Sequence, residues 1–118
     1  MIVTLSWPDK ILWPNGSEGN RFAKSAAKKR AKHDASWAAI AARSKQGLPA
    51  LSDGPIPITL RVYAKPKGPL PDRDNCIAAV KVQLDAIAEQ IGVNDRRFAA
   101  PVVEFAEPRV GRMEVHIG

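Results

Sequence analysis

The sequence holds a single cysteine, Cys76, among 118 residues, so no disulfide can form within one chain. That fits a reducing compartment and rules out a small secreted scaffold held by disulfides. Long apolar runs are also missing. Hydrophobic residues make up 45% of the chain but never extend for the ~20 positions a bilayer requires, and no basic-then-apolar leader is read at the start. The expectation is a soluble, cytoplasmic protein with no membrane partner. Aromatics are scarce at 6%, which argues against sequence-specific single-strand reading by base stacking. The two histidines, His33 and His116, have no partner at metal-ligand spacing. Acidic residues are the minority charge, 12 against 18 Lys and Arg, giving a net charge of +6. An excess of that sign points to phosphate polymers or acidic surfaces as partners.

At this length one domain spanning residues 1–118 is expected. Val3, Leu5 and Trp7 alternate with polar positions as a first strand that Pro8 ends. Trp13-Pro14-Asn15-Gly16-Ser17 reads as a loop. From Asn20, a candidate N-cap, to Gln46 the chain is rich in Ala, Lys and Arg and free of Gly and Pro. This predicts a long helix stopped by Gly47, with Phe22, Ala26, Trp37 and Ile40 on its apolar side. Strict alternation from Ile56 to Ala64 predicts a second strand, with Pro57 at an edge or unpaired position. Lys65 to Pro71 cannot continue a ladder and forms a stiff basic loop. A second helix is predicted from Asn75 to Ile91, with Ile77, Val80, Leu84, Ile87 and Ile91 on one face and Gly92 as its stop. Val102–Ala106 and Met113–Ile117 read as a closing hairpin through Pro108-Arg109-Val110-Gly111. The order β-α-β-α-β-β suits an α/β (α+β) fold, a small mixed sheet packed with two helices.

Three aspartates that can converge make one of the few acidic concentrations in this basic chain. Pro71-Asp72-Arg73-Asp74-Asn75 sets two carboxylates two residues apart where the second helix begins, and Asp95 follows just past it. On one continuous helix Asp74, Lys81 and Asp85 project from nearly the same side. Hard divalent cations such as Mg²⁺ take carboxylate oxygens and keep several waters, and a nearby cation steadies charge on a reacting phosphate. Lys81 is the candidate for that cation. Each acid also has an ordinary reading. Asp72 and Asp74 suit a helix N-cap, Asp85 suits an i, i+4 pair with Lys81, and Asp95 suits a turn.

Basic residues crowd the first half of the long helix: Arg21, Lys24, Lys28, Lys29, Arg30 and Lys32, with no acid until Asp34. Lys24, Lys28 and Lys32 stack at i, i+4 spacing, where like charges repel unless an anion relieves them. A DNA backbone would do so, with Lys65 and Lys67 of the basic loop and Arg73 just past it as further contacts; a solvated helix face is the alternative. Trp7, Trp13 and Trp37 read as core or dimer-interface anchors, with base stacking the alternative, and Cys76 reads as a buried structural thiol, with nucleophilic use at a helix start the alternative.

The run Asp72-Arg73-Asp74-Asn75, then Lys81-Val82-Gln83-Leu84-Asp85-Ala86-Ile87, then Gly92-Val93-Asn94-Asp95 resembles the signature of RusA-type Holliday junction resolvases. The early Trp7-Pro8 and Trp13-Pro14-Asn15 segments are similar to that family's N-terminal strand and proline-asparagine loop. The resemblance implies a homodimeric, Mg²⁺-dependent endonuclease, with Mn²⁺ as a possible substitute, that resolves four-way DNA junctions by paired symmetric nicks. It needs no small-molecule cofactor. By motif, Asp72, Asp74 and Asp95 match the family's metal-binding aspartates and Lys81 its catalytic lysine, with Asp85 assisting from the same face. The family's lysine stands four residues after the second aspartate, a position held here by Ala78, and Lys81 stands seven after it. The competing readings are a Mg²⁺-dependent nuclease for flaps, forks or other branched DNA, and a non-catalytic basic DNA-binding module.

Overall fold

The computed structural model describes residues 1–14 and 21–118. The expected N-cap Asn20 and the turn at Asn15-Gly16-Ser17 lie outside the described residues. The chain forms β1 (Ile2–Ser6), α1 (Arg21–Gln46), β2 (Ile58–Tyr63), α2 (Arg73–Ala79), α3 (Lys81–Ile91), β3 (Val102–Phe105) and β4 (Arg112–Ile117). Short 3₁₀ turns at Lys10–Leu12 and Asp95–Arg97 link them. Among the described residues this is a mixed α+β fold with three α-helices and a mixed four-stranded sheet. No described helix is long and apolar enough to cross a membrane.

The sheet order is β1-β4-β2-β3. β4 pairs antiparallel with both β1 and β2, while β2 and β3 run parallel. The expected β3–β4 hairpin is therefore not formed, because β2 lies between the two strands. The intervening segment wraps the end of β2 instead: Ala106 N–H donates to Val62 O, and Gly111 N–H lies 3.0 Å from Tyr63 O and 3.1 Å from Ala64 O. Parallel pairing of β2 with β3 makes α2 and α3 a crossover connection, which sets the N-terminus of α2 just beyond β2 and the basic loop.

Alternation decides which face is covered. Val3, Leu5, Ile58, Leu60, Val62, Val103, Met113, Val115 and Ile117 are buried together with residues from α1, α2 and α3. Pro57 stands between the Ile56–Phe98 bridge and β2, and Gly118 N–H donates to its carbonyl. The outer edge of β1 is blunted by the side chain of Gln46, which accepts from Ile2 N–H at 2.8 Å and donates to Ile2 O at 2.9 Å.

Two helix expectations need correction. The apolar side assigned to α1 faces outward: Phe22 is 77%, Trp37 59% and Ile40 38% exposed. The buried residues of α1 are Ala27, Ala35, Ala39 and Ala42. Small side chains let α1 lie close on α3, where Leu84, Ile87 and Ile91 complete the core. The single helix expected from Asn75 to Ile91 is two helices. Val80 leaves helical geometry (φ −106°, ψ 8°), although it is fully buried, and its N–H bonds back to Ile77 O in a tight turn. Gly92, at φ 78°, ends α3 in the left-handed conformation expected of a glycine stop.

The alanine contact carries a prediction. Ala39→Leu should destabilise the fold by roughly 1–3 kcal/mol through overpacking. Phe22→Ser on the outward face of α1 should change it by less than about 0.5 kcal/mol. Urea unfolding of the two variants checks the contrast.

Candidate functional site

The predicted acids fall into two groups. Asp72 is the N-cap of α2: its Oδ1 accepts from Asp74 N–H at 2.8 Å and Asn75 N–H at 3.4 Å, while Cys76 N–H donates to its backbone carbonyl. The capping role is thus real. Asp74, exposed in the first turn of α2, favours the positive end of that helix dipole. Beneath them Cys76 is fully buried, and its thiol is pushed up to about 11, first by burial and then by the Asp72 charge, with Arg73 opposing. It is a packing residue with no nucleophilic character.

The second group is Lys81, Asp85 and Asp95. Lys81 and Asp85 stand one turn apart on α3, and Asp95 opens the 3₁₀ turn after Gly92. Asn94 shapes that turn by accepting from Arg96 N–H at 2.9 Å. Asp85 and Asp95 line the same two clefts. Asp85 is held above the usual aspartate range, first by partial burial of its carboxyl and then by Asp95, with Lys81 and Lys32 pulling the other way. A neighbouring carboxylate disfavours the charged form of Asp85, and a neighbouring lysine favours it.

Asp85 stands where three clefts meet. One, of about 440 Å³, is lined by Trp13, Lys24, Lys28, Ala78, Lys81 and Asp85 among others. The second is more apolar, with Ile77, Leu84, Phe98 and Pro101 around Lys81, Asp85 and Asp95. The third joins Lys32, Glu89, Asn94, Asp85 and Asp95. Ala78 and Lys81 share the walls of the first two clefts. The turn at Val80 therefore brings the lysine beside the position one helical turn after Asp74. Asp74 itself precedes Ala78 by four residues, about 6 Å along the axis of α2.

Asp72, Asp74 and Asp95 are not drawn into one cluster; among the described residues no three His, Cys, Asp or Glu side chains come together as a metal cage. The donor set that does form is the Asp85–Asp95 pair. Mg²⁺ is commonly held by one or two carboxylates with waters and substrate phosphate completing its shell, and this pair fits that requirement.

The basic residues divide just as sharply. Lys24, Lys28 and Lys32 point along the flank of α1 that faces Asp85. Lys32 also lies 3.7 Å from Glu89. Arg30 is on the opposite flank, 3.5 Å from Asp9. Arg21 and Lys29 are exposed. Lys65 and Lys67 line a smaller cleft with Trp7 and Trp13, while Arg73 stacks its guanidinium 4.9 Å from the Phe105 ring centre. Trp13 walls the lysine cleft, a place that its reading as a core or interface anchor does not give. Its place ahead of Pro14, six residues after the similarly proline-flanked Trp7, was the available signal.

A small α+β domain with a lysine and two carboxylates under a basic helix is thus the class that the fold and the site define. Across 98% of this chain and 74% of the relative, 32% of residues are identical to a protein of Xylella fastidiosa (strain Temecula1 / ATCC 700964) described as an uncharacterized protein. The chain belongs to the same family as that protein. No family model matches the sequence.

The electrostatics predict a titration. In the metal-free protein the Asp85 carboxyl should ionise above ordinary aspartates; Lys81→Ala should raise its pKa further and Asp95→Asn should lower it, as read by carboxyl NMR. The folded state holds this proton more tightly than the unfolded chain. Ionisation of Asp85 therefore erodes stability as pH rises from the unfolded value through the folded one, and Asp85→Asn should remove that loss.

Proposed function

We propose that the protein is a RusA-like, metal-dependent endodeoxyribonuclease acting on four-way DNA junctions. The observation that carries this reading is the meeting of Lys81, Asp85 and Asp95 at clefts walled by Lys24, Lys28 and Lys32. Phosphodiester cleavage needs anionic oxygens for a divalent cation, a fixed positive charge for the developing phosphorane, and a basic approach for the backbone. Asp85 and Asp95 would hold Mg²⁺ or Mn²⁺, which supplies charge neutralisation and an acidified water when bound. Lys81 would steady the phosphate or orient the nucleophile from its position beside Asp85. Asp74, one turn before the shared wall at Ala78, is the acid best situated to add a further ligand, and Asp72 fixes the start of its helix. The three lysines of α1 would hold the phosphates on either side of the cut.

The outer face of α1 supports a homodimer. Phe22, Ala26, Lys29, His33, Trp37 and Ile40 recur at spacings of three and four, all exposed, along a helix about 39 Å long. His33 already meets Trp37 edge to face, with ring centres 6.3 Å apart. Two copies packed antiparallel through this stripe would set two sites about a two-fold axis, matching a junction with the same symmetry. Trp37→Glu should convert the protein to a monomer in sedimentation analysis, with its circular dichroism unchanged. A wild-type protein already monomeric at high concentration would remove the dimer.

A second reading rests on the Asp72 cap: a basic DNA-binding module whose acids serve structure alone. Branches other than the four-way junction, such as flaps and forks, are the remaining enzymatic alternative. Asp85→Asn, Asp95→Asn and Asp74→Asn should each abolish Mg²⁺-dependent nicking while leaving junction binding intact or tighter. Lys81→Ala should lower single-turnover cleavage roughly a hundredfold, about 2.7 kcal/mol, whereas an exposed pair with Asp85 would be worth only about 0.5 kcal/mol. Binding without nicking in the wild type would favour the module. A panel of synthetic flaps, forks and junctions ranks the enzymatic substrates.

A further inference from the structure

Trp7 and Trp13 are each only partly buried against the core. Their rings are stacked with centroids 5.4 Å apart and planes inclined by 27°. The indole N–H of Trp13 donates to Pro8 O at 3.2 Å, which fixes its plane and occupies its one donor, so what it can offer a ligand is a π surface. Two clefts meet at this residue. On one side, a cavity of about 220 Å³ is walled by both indoles with Lys65, Lys67, Pro69 and Pro71. On the other lies the cleft of Lys24, Lys28, Lys81 and Asp85.

We propose that the Trp7–Trp13 pair is a stacking platform for an unpaired base in the DNA strand led to Asp85. The inference rests on the nuclease reading and adds to it the feature of the substrate that is recognised. Lysines on both sides of Trp13 complement the phosphates of a strand that crosses it. Proline walls and the fixed indole make the platform rigid, so little ordering is required of the protein when a base arrives. In continuous duplex each base is already stacked on its neighbours and hides its π face. At a branch point a base is free to leave the stack, and an aromatic surface accepts any of the four because each has a π face. The platform therefore favours branch over duplex without reading sequence. Aromatics are scarce in the sequence, but a fixed indole pair set between two lysine clefts suffices for one stacked base.

The test uses the full chain carrying Trp37→Phe, which leaves Trp7 and Trp13 as the fluorescent indoles, in EDTA to prevent cleavage. A short oligothymidylate should quench their emission. A branched duplex with one unpaired thymine at the branch should bind about tenfold more tightly than the same DNA with an abasic nucleotide there. Trp13→Ala should erase that difference, and Trp13→Phe should keep most of it. The abasic comparison needs no variant at Trp13, so it decides the matter even if Trp13→Ala does not fold. Equal affinity for the intact and abasic branches overturns the platform; if Mg²⁺-dependent nicking persists in the same preparation, the nuclease reading survives that failure. Absence of DNA binding overturns both, and quenching by a proline-rich peptide in place of DNA overturns the assignment of the occupant.

Discussion

The close seating of α1 on α3 is the constraint on which the site depends. Ala35, Ala39 and Ala42 bring the helix backbone near Leu84, Ile87 and Ile91, and so carry the lysine row within reach of Asp85 and Asp95. A bulkier seam would lift Lys24, Lys28 and Lys32 away from the acids and widen the clefts between them. The alanine seam also frees the opposite face of α1. A helix that buries its core through small side chains can present Phe22, Trp37 and Ile40 elsewhere, giving one element two apolar surfaces with different partners.

Charge opposes the approach of Asp85 and Asp95. Burial first, and the Asp95 carboxylate after it, hold the Asp85 carboxyl above its ordinary value. Lys81 and Lys32 partly compensate that repulsion, and neither is close-packed against Asp85 in a fixed ion pair. Such a pair works against folding once Asp85 is ionised, and perturbed carboxyls of this kind are found at functional sites as well as in structural ion-pair networks. Asp72 differs. Its Oδ1 is committed to the amides of Asp74 and Asn75, which holds the start of α2.

Periodicity made most elements legible. The alternation of Ile58, Leu60 and Val62, the apolar spacing of Leu84, Ile87 and Ile91, and the glycine stop at Gly92 all lie where the sequence puts them. The break at Val80 was not legible, because a buried valine suits the interior of a continuous helix as well as it suits the turn between two. The seam of α1 was obscured because alanine carries a weak hydrophobic signal beside Phe22 and Trp37. Strand neighbours are a non-local property, and adjacency of Val102–Ala106 to Met113–Ile117 in sequence gave no hint that β2 would lie between them. Within the site, Lys81, Asp85 and Asp95 could be named from spacing. That Asp72 does not join them in one cluster is a tertiary fact and required the fold.

The central claim is that Asp85 and Asp95 together form the cation site. Manganese titrated into ¹⁵N-labelled protein tests it directly, because the paramagnetic ion broadens nearby amide resonances. Broadening centred on Asp85, Asn94 and Asp95, extending to Asp74 and abolished by Asp85→Asn, is the predicted result. Broadening centred elsewhere on the surface, or none at manganese concentrations that support DNA cleavage, would contradict it.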